Sequence, residues 1–164
     1  MNKTMTKRFN WLMLSLVAIG LLSGFEQGLQ AKSTKKTGAS APAEAPAPTS
    51  LSWNHDLRSA LTQAKASRRW VLVDCYTDHC GWCKKLDADT LSNPNVIRML
   101  GNHFVWVKCD TDNPSTGAWV KDKYEPQGYP CILILDPSGN EKGRILGYKQ
   151  PAAFVNIVSN IVRQ

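Results

Sequence analysis

Trp70-Val-Leu-Val-Asp-Cys-Tyr-Thr-Asp-His-Cys-Gly-Trp-Cys-Lys-Lys-Leu-Asp87 is the stretch on which the reading of this chain turns. Its apolar, β-branched opening, Val71 to Val73, has the character of a buried strand. Two cysteines, Cys80 and Cys83, follow just before a segment that reads as helix. At a helix start the first backbone N–H groups lack intrahelical partners, and the helix dipole favours negative charge. Cys80 placed there ionises more readily than a free cysteine. Its thiolate is the attacking species in disulfide exchange, and a second cysteine one turn on can close or release a mixed disulfide. The pair reads as redox-active.

Three other readings compete. A structural zinc site needs four ligands, usually a second pair at short spacing, whereas Cys75, Cys109 and Cys131 are scattered singly. Covalent haem attachment needs His directly after the second cysteine, and residue 84 is Lys. A purely structural disulfide remains open, although so short a loop constrains the unfolded chain little.

Val73 to Lys84 resembles the active-site strand, turn and helix of the thioredoxin superfamily. A second motif, Gly128-Tyr129-Pro130 followed by Cys131-Ile-Leu-Ile-Leu-Asp136, resembles that family's cis-proline and the core strand after it. The spacing of the two motifs and the pattern Leu86, Asp87, Thr90 fit as well. The likeness covers residues 51–164. It points to the secreted branch that includes the C-terminal domain of DsbD-type reductases and DsbH-type single-domain proteins. The implied fold is α/β: a mixed central sheet with helices on both faces.

Residues 1–31 read as a signal peptide. Lys3, Lys7 and Arg8 form a positive start, and the apolar run Trp11 to Leu22 is too short for an ordinary membrane span. An uncleaved anchor is the alternative; either way the domain is exported. Residues 32–50, rich in Ala, Pro, Ser and Thr with no large hydrophobe, read as a disordered linker unable to offset its ordering entropy. The formal charge of +7 is partly theirs. Residues 51–164 carry only a scattered +3, which is no nucleic-acid footprint. These 114 residues suffice for one domain and are too few for two.

Within the domain, helix and strand alternate. Leu57, Ala60, Leu61 and Ala64 predict a helix over 53–66, followed by a strand over 70–76 and a helix from Gly81. Ser92-Asn-Pro-Asn predicts a break and a new helix with Pro94 in its first turn. A strand over 104–109, a turn at 110–114 and a helix over 115–124 come next. Strands 131–135 and 144–147 flank the turn Pro137 to Asn140. Pro151 opens a last helix with Phe154, Ile157, Val158 and Ile161 on one face.

The resemblance assigns roles. Cys80 is the expected nucleophile and Cys83 the resolving thiol, with Asp74, six residues upstream of Cys80, as the buried acid that assists proton transfer. Pro130 is expected to be cis, and the backbone beside it to pair with an extended substrate, which makes Tyr129 a contact. Trp82, which departs from the Gly-Pro dipeptide of cytosolic thioredoxins, joins the expected substrate surface. His79 reads either as a modulator that favours the thiolate when protonated or as a solvated turn residue. Cys131 stands where the family usually has a non-thiol residue. It reads either as a core thiol or as a modulator near the pair. Cys75 and Cys109 are expected to pack as small hydrophobes and stay reduced.

The expected function is thiol–disulfide exchange with protein substrates in the periplasm. The reductase direction is favoured, with oxidase or isomerase as the alternative. A soft-metal chaperone is a further reading, since a Cys pair suits Cu(I). One methionine in the domain, Met99, and no histidine cluster count against it. No flavin or nicotinamide fingerprint is present, so no cofactor and no metal are expected, and electrons would come from a membrane or periplasmic thiol donor. A monomer is expected.

Overall fold

The computed structural model describes residue 46 and residues 48–164. The expected signal and most of the expected linker lie outside the described residues. Five strands form one sheet, β1 (Trp53–Asn54), β2 (Trp70–Tyr76), β3 (Phe104–Asp110), β4 (Cys131–Leu135) and β5 (Glu141–Leu146), in the spatial order β1-β3-β2-β4-β5. β1 and β2 run parallel to β3, while β4 is antiparallel to both β2 and β5. The sheet is mixed, as the sequence predicts.

Alternation along the strands builds two core layers. Val71, Val73 and Cys75, with Val105, Val107, Cys109, Cys131, Leu133 and Leu135, face α1 (Leu57–Ser67) and α4 (Ala118–Tyr124). Leu72, Phe104, Trp106, Ile132 and Ile134 face the other way. They meet α2 (Gly81–Leu86), α3 (Pro94–Leu100) and α5 (Pro151–Val162) through Leu86, Val96, Leu100, Phe154 and Val158. Both faces of the middle strands are covered, which explains their near-continuous apolar runs.

Three boundaries differ from expectation. The first predicted helix begins at Leu57 and not at residue 53. Asp56 caps it, accepting from the N–H groups of Arg58 and Ser59, while Trp53 and Asn54 pair with Trp106 and Val107 as an edge strand. The helix expected over 115–124 starts at Ala118, because the Asn113 side chain accepts from Ser115 and Thr116 N–H and holds those residues in a turn. β5 spans Glu141–Leu146, earlier than the expected 144–147. In addition, α2 runs into a π-helical turn, Asp87–Leu91. No helix among the described residues is long and apolar enough to cross a membrane.

Candidate active site

Cys80 and Cys83 are joined as a disulfide at the start of α2. Cys80 is the N-cap, half-buried, and its sulfur accepts the Cys83 backbone N–H at 3.1 Å. Cys83 is only 2% exposed. The two sulfurs therefore differ in access: an incoming reagent meets Cys80, while Cys83 is shielded one turn inside. On reduction, the same N–H would favour a thiolate at Cys80.

Asp74 is completely buried on β2, on the layer that α2 packs against. It also has a charged partner. Lys108, directly opposite on β3, donates from Nζ to Asp74 Oδ2 at 2.5 Å and also binds Asp87 at the end of α2. The other carboxylate oxygen, Asp74 Oδ1, is buried without a hydrogen-bond partner among protein groups. Burial pushes the Asp74 carboxyl up to about 6, against the pull of the Lys108 ammonium. Burial works against the Lys108 charge, but Asp74 and Asp87 outweigh it and raise the ammonium above its ordinary range. Lys108 has no role in the sequence reading. The available signal was a lone charge in the otherwise apolar run Phe104 to Cys109, whose meaning depends on its register with Asp74.

The Tyr129–Pro130 peptide is cis, and Gly128 before it has φ +139°, a conformation that favours glycine. Pro130 is buried, and its carbonyl accepts the Gly147 N–H at 2.9 Å. Tyr129 is half-buried: its ring packs on the α1 side of the core, and its hydroxyl bonds the Thr111 hydroxyl at 2.7 Å. The tyrosine ring is thus turned toward the protein. Its backbone enters none of the backbone–backbone bonds formed outside helices and strands among the described residues.

The remaining expected residues divide. Trp82 is 61% exposed next to Cys80, and His79 is exposed in the turn before it. Cys131 is completely buried on the face opposite α2, in register with Cys75, which is itself in register with Cys109. The three thiols form a row across β3, β2 and β4, and all are free. The structure thus seats Cys131 in the core layer away from α2. Burial holds its thiol up at about 11. A hydrogen bond with Cys109, together with burial, raises Cys75, and the same bond lowers Cys109. Among the described residues, no group of three or more His, Cys, Asp or Glu side chains is arranged to hold a metal ion. Thr90, named in the sequence only as part of a family pattern, is buried and donates to the Lys149 carbonyl at 2.6 Å, tying the π-helical turn to the loop before α5.

The family model for thioredoxin-like domains matches residues 52–137. The thiol:disulfide interchange protein DsbD of Pseudoalteromonas atlantica is 34% identical over 110 residues, which are 65% of this chain and 18% of that protein. The chain thus spans under a fifth of that relative's length. Among solved structures, a thioredoxin from Thermus thermophilus superposes with a TM-score of 0.62 and 30% identity, covering 69% of this chain and 88% of that one. The oxidised DsbD C-terminal domain of Neisseria meningitidis gives 0.57 at 23% identity, over 66% and 98%, a likeness of fold alone.

Proposed function

Because the chain belongs to the thioredoxin-like family, we propose that it is a periplasmic thiol–disulfide oxidoreductase that reduces disulfides in protein substrates. The observation that carries this reading is the asymmetry of the Cys pair: an accessible Cys80 that accepts a backbone N–H, and a shielded Cys83. The relationship to an interchange protein supports the exchange chemistry; the reductase direction, with oxidase or isomerase as the alternative, rests on the resemblance of the Cys-pair and cis-proline motifs to DsbD-type reductases. Export rests on the N-terminal basic and apolar pattern, with residues 32–50 as spacer to the domain at 51–164.

In the reduced protein the Cys80 thiolate attacks one sulfur of a substrate disulfide. That S–S bond breaks, the attacked sulfur forms a mixed disulfide with Cys80, and the substrate's other sulfur leaves as a thiolate that takes a proton from water. Cys83 then gives its proton to the Asp74 carboxylate, which is mostly ionised at neutral pH, and attacks Cys80 Sγ. The second substrate thiol departs, and the Cys80–Cys83 disulfide remains. Two electrons have passed to the substrate, and a donor protein's dithiol must restore them. Lys108 holds Asp74 in place, and half-buried Asp87 offers the proton a route toward solvent. The Tyr129 backbone offers hydrogen bonds to an extended substrate segment.

Cys83→Ser should arrest the cycle after the first step. The variant, reduced and mixed with oxidised periplasmic extract, should carry substrates as mixed disulfides on Cys80 that mass spectrometry identifies. Cys80→Ser should carry few or none. Equal adducts on both variants would contradict the assigned roles.

A further inference from the structure

Asp89, one turn beyond α2, accepts two hydrogen bonds on one carboxylate oxygen. Lys85 Nζ donates at 2.6 Å, and the Tyr148 hydroxyl, from the loop between β5 and α5, donates at 2.9 Å. The Lys85 ammonium also lies 5.3 Å from the Tyr148 ring centroid. Thus fixed on two sides, the Tyr148 ring meets Trp82 at 5.9 Å between centroids, tilted by 39°. Trp82 is one of three large hydrophobic side chains left exposed among the described residues. It sits between the two cysteines, and Tyr148 follows Gly147, which is bonded to Pro130.

An exposed tryptophan on a short helix has rotamer freedom that any partner must remove on binding. The Lys85–Asp89–Tyr148 arrangement removes part of that freedom beforehand, at a place where the cysteine chemistry does not need it. We propose that Trp82 and Tyr148 form a seat for a large apolar or aromatic side chain beside the substrate's disulfide cysteine, and that Asp89 is a positioning residue that holds the seat in shape. The substrate class is therefore disulfides flanked by such a residue. This rests on the exchange reading above and adds selectivity to it.

The test uses the full domain, dithiothreitol as electron source, and two synthetic peptides with one internal disulfide each. The peptides differ only in whether Trp or Gly precedes the cysteine. The parent should turn over the Trp peptide with the lower KM. Tyr148→Ala should raise that KM about three- to tenfold, the range an aromatic contact supplies, with the Gly peptide little affected. Asp89→Asn and Tyr148→Phe should give the same selective change at smaller size. Tyr148→Trp, which restores a ring, should recover much of the loss, and the Cys80–Cys83 potential should stay at the parent value in all. Equal KM values for the two peptides in the parent, or equal changes for both in the variants, would overturn the seat while leaving disulfide exchange standing. Failure of the parent to reduce either peptide would overturn the exchange reading and the seat with it.

Discussion

Asp74 is where folding and chemistry make opposite demands. Its carboxyl, ordinarily ionising near 3.8, is raised to about 6 by burial, with Lys108 offsetting only part of the cost. Between these two values the folded protein keeps a proton that the unfolded chain has lost. Stability therefore falls as pH rises through that window and is level above it. The rise corresponds to about 3 kcal/mol carried against the folded state at neutral pH. Asp74→Asn abolishes this titration: at pH 4 it replaces a carboxyl that is already neutral, and at pH 7.5 it replaces a buried carboxylate. Urea unfolding of the oxidised parent and variant at pH 4 and pH 7.5 should show the difference between them moving by roughly 2–3 kcal/mol in the variant's favour at the higher pH. A difference that does not move with pH would contradict a raised Asp74. Reductive turnover of the variant at neutral pH should fall, because Cys83 loses its proton acceptor.

At the scale of elements, the row Cys109–Cys75–Cys131 shows what local pattern conveys and what it does not. Each cysteine sits in an apolar run, so its burial was legible one strand at a time. That three thiols share one register line across three strands depends on strand order, which no local pattern encodes. The same limit hid the Asp74–Lys108 pair and the edge strand β1, whose two residues have meaning only beside Trp106 and Val107. By contrast, β2, β4 and the starts of α2, α3 and α5 were legible, because an apolar run, the Cys pair or a helix-opening proline marks each. The π-helical turn after α2 had no such mark; it is held by Thr90 reaching the Lys149 carbonyl, 59 residues away. For the thiol row the expected behaviour is inertness. With Cys80 and Cys83 oxidised, a thiol reagent such as a dithiobis-nitrobenzoate should find essentially no reactive thiol in the native protein and all three after denaturation. Rapid native labelling of Cys131 would contradict its place in the core.

On the scale of the whole domain, the sheet carries two closed apolar layers, and the disulfide, Pro130, Trp82 and Tyr148 gather beyond the ends of β2, β4 and β5. The rigid parts supply position: β2 delivers Asp74, α2 delivers the two sulfurs, and the cis-proline loop brings a free stretch of backbone. Such a scaffold fits reduction, oxidation or isomerisation equally well, and what separates them is the stability of the Cys80–Cys83 disulfide relative to its dithiol. The central claim is therefore tested most directly by titrating the domain in glutathione or dithiothreitol buffers and reading its reduction potential. A reductase requires a value toward the thioredoxin end, about −270 mV. A value near about −120 mV, at the strongly oxidising end, would contradict the account.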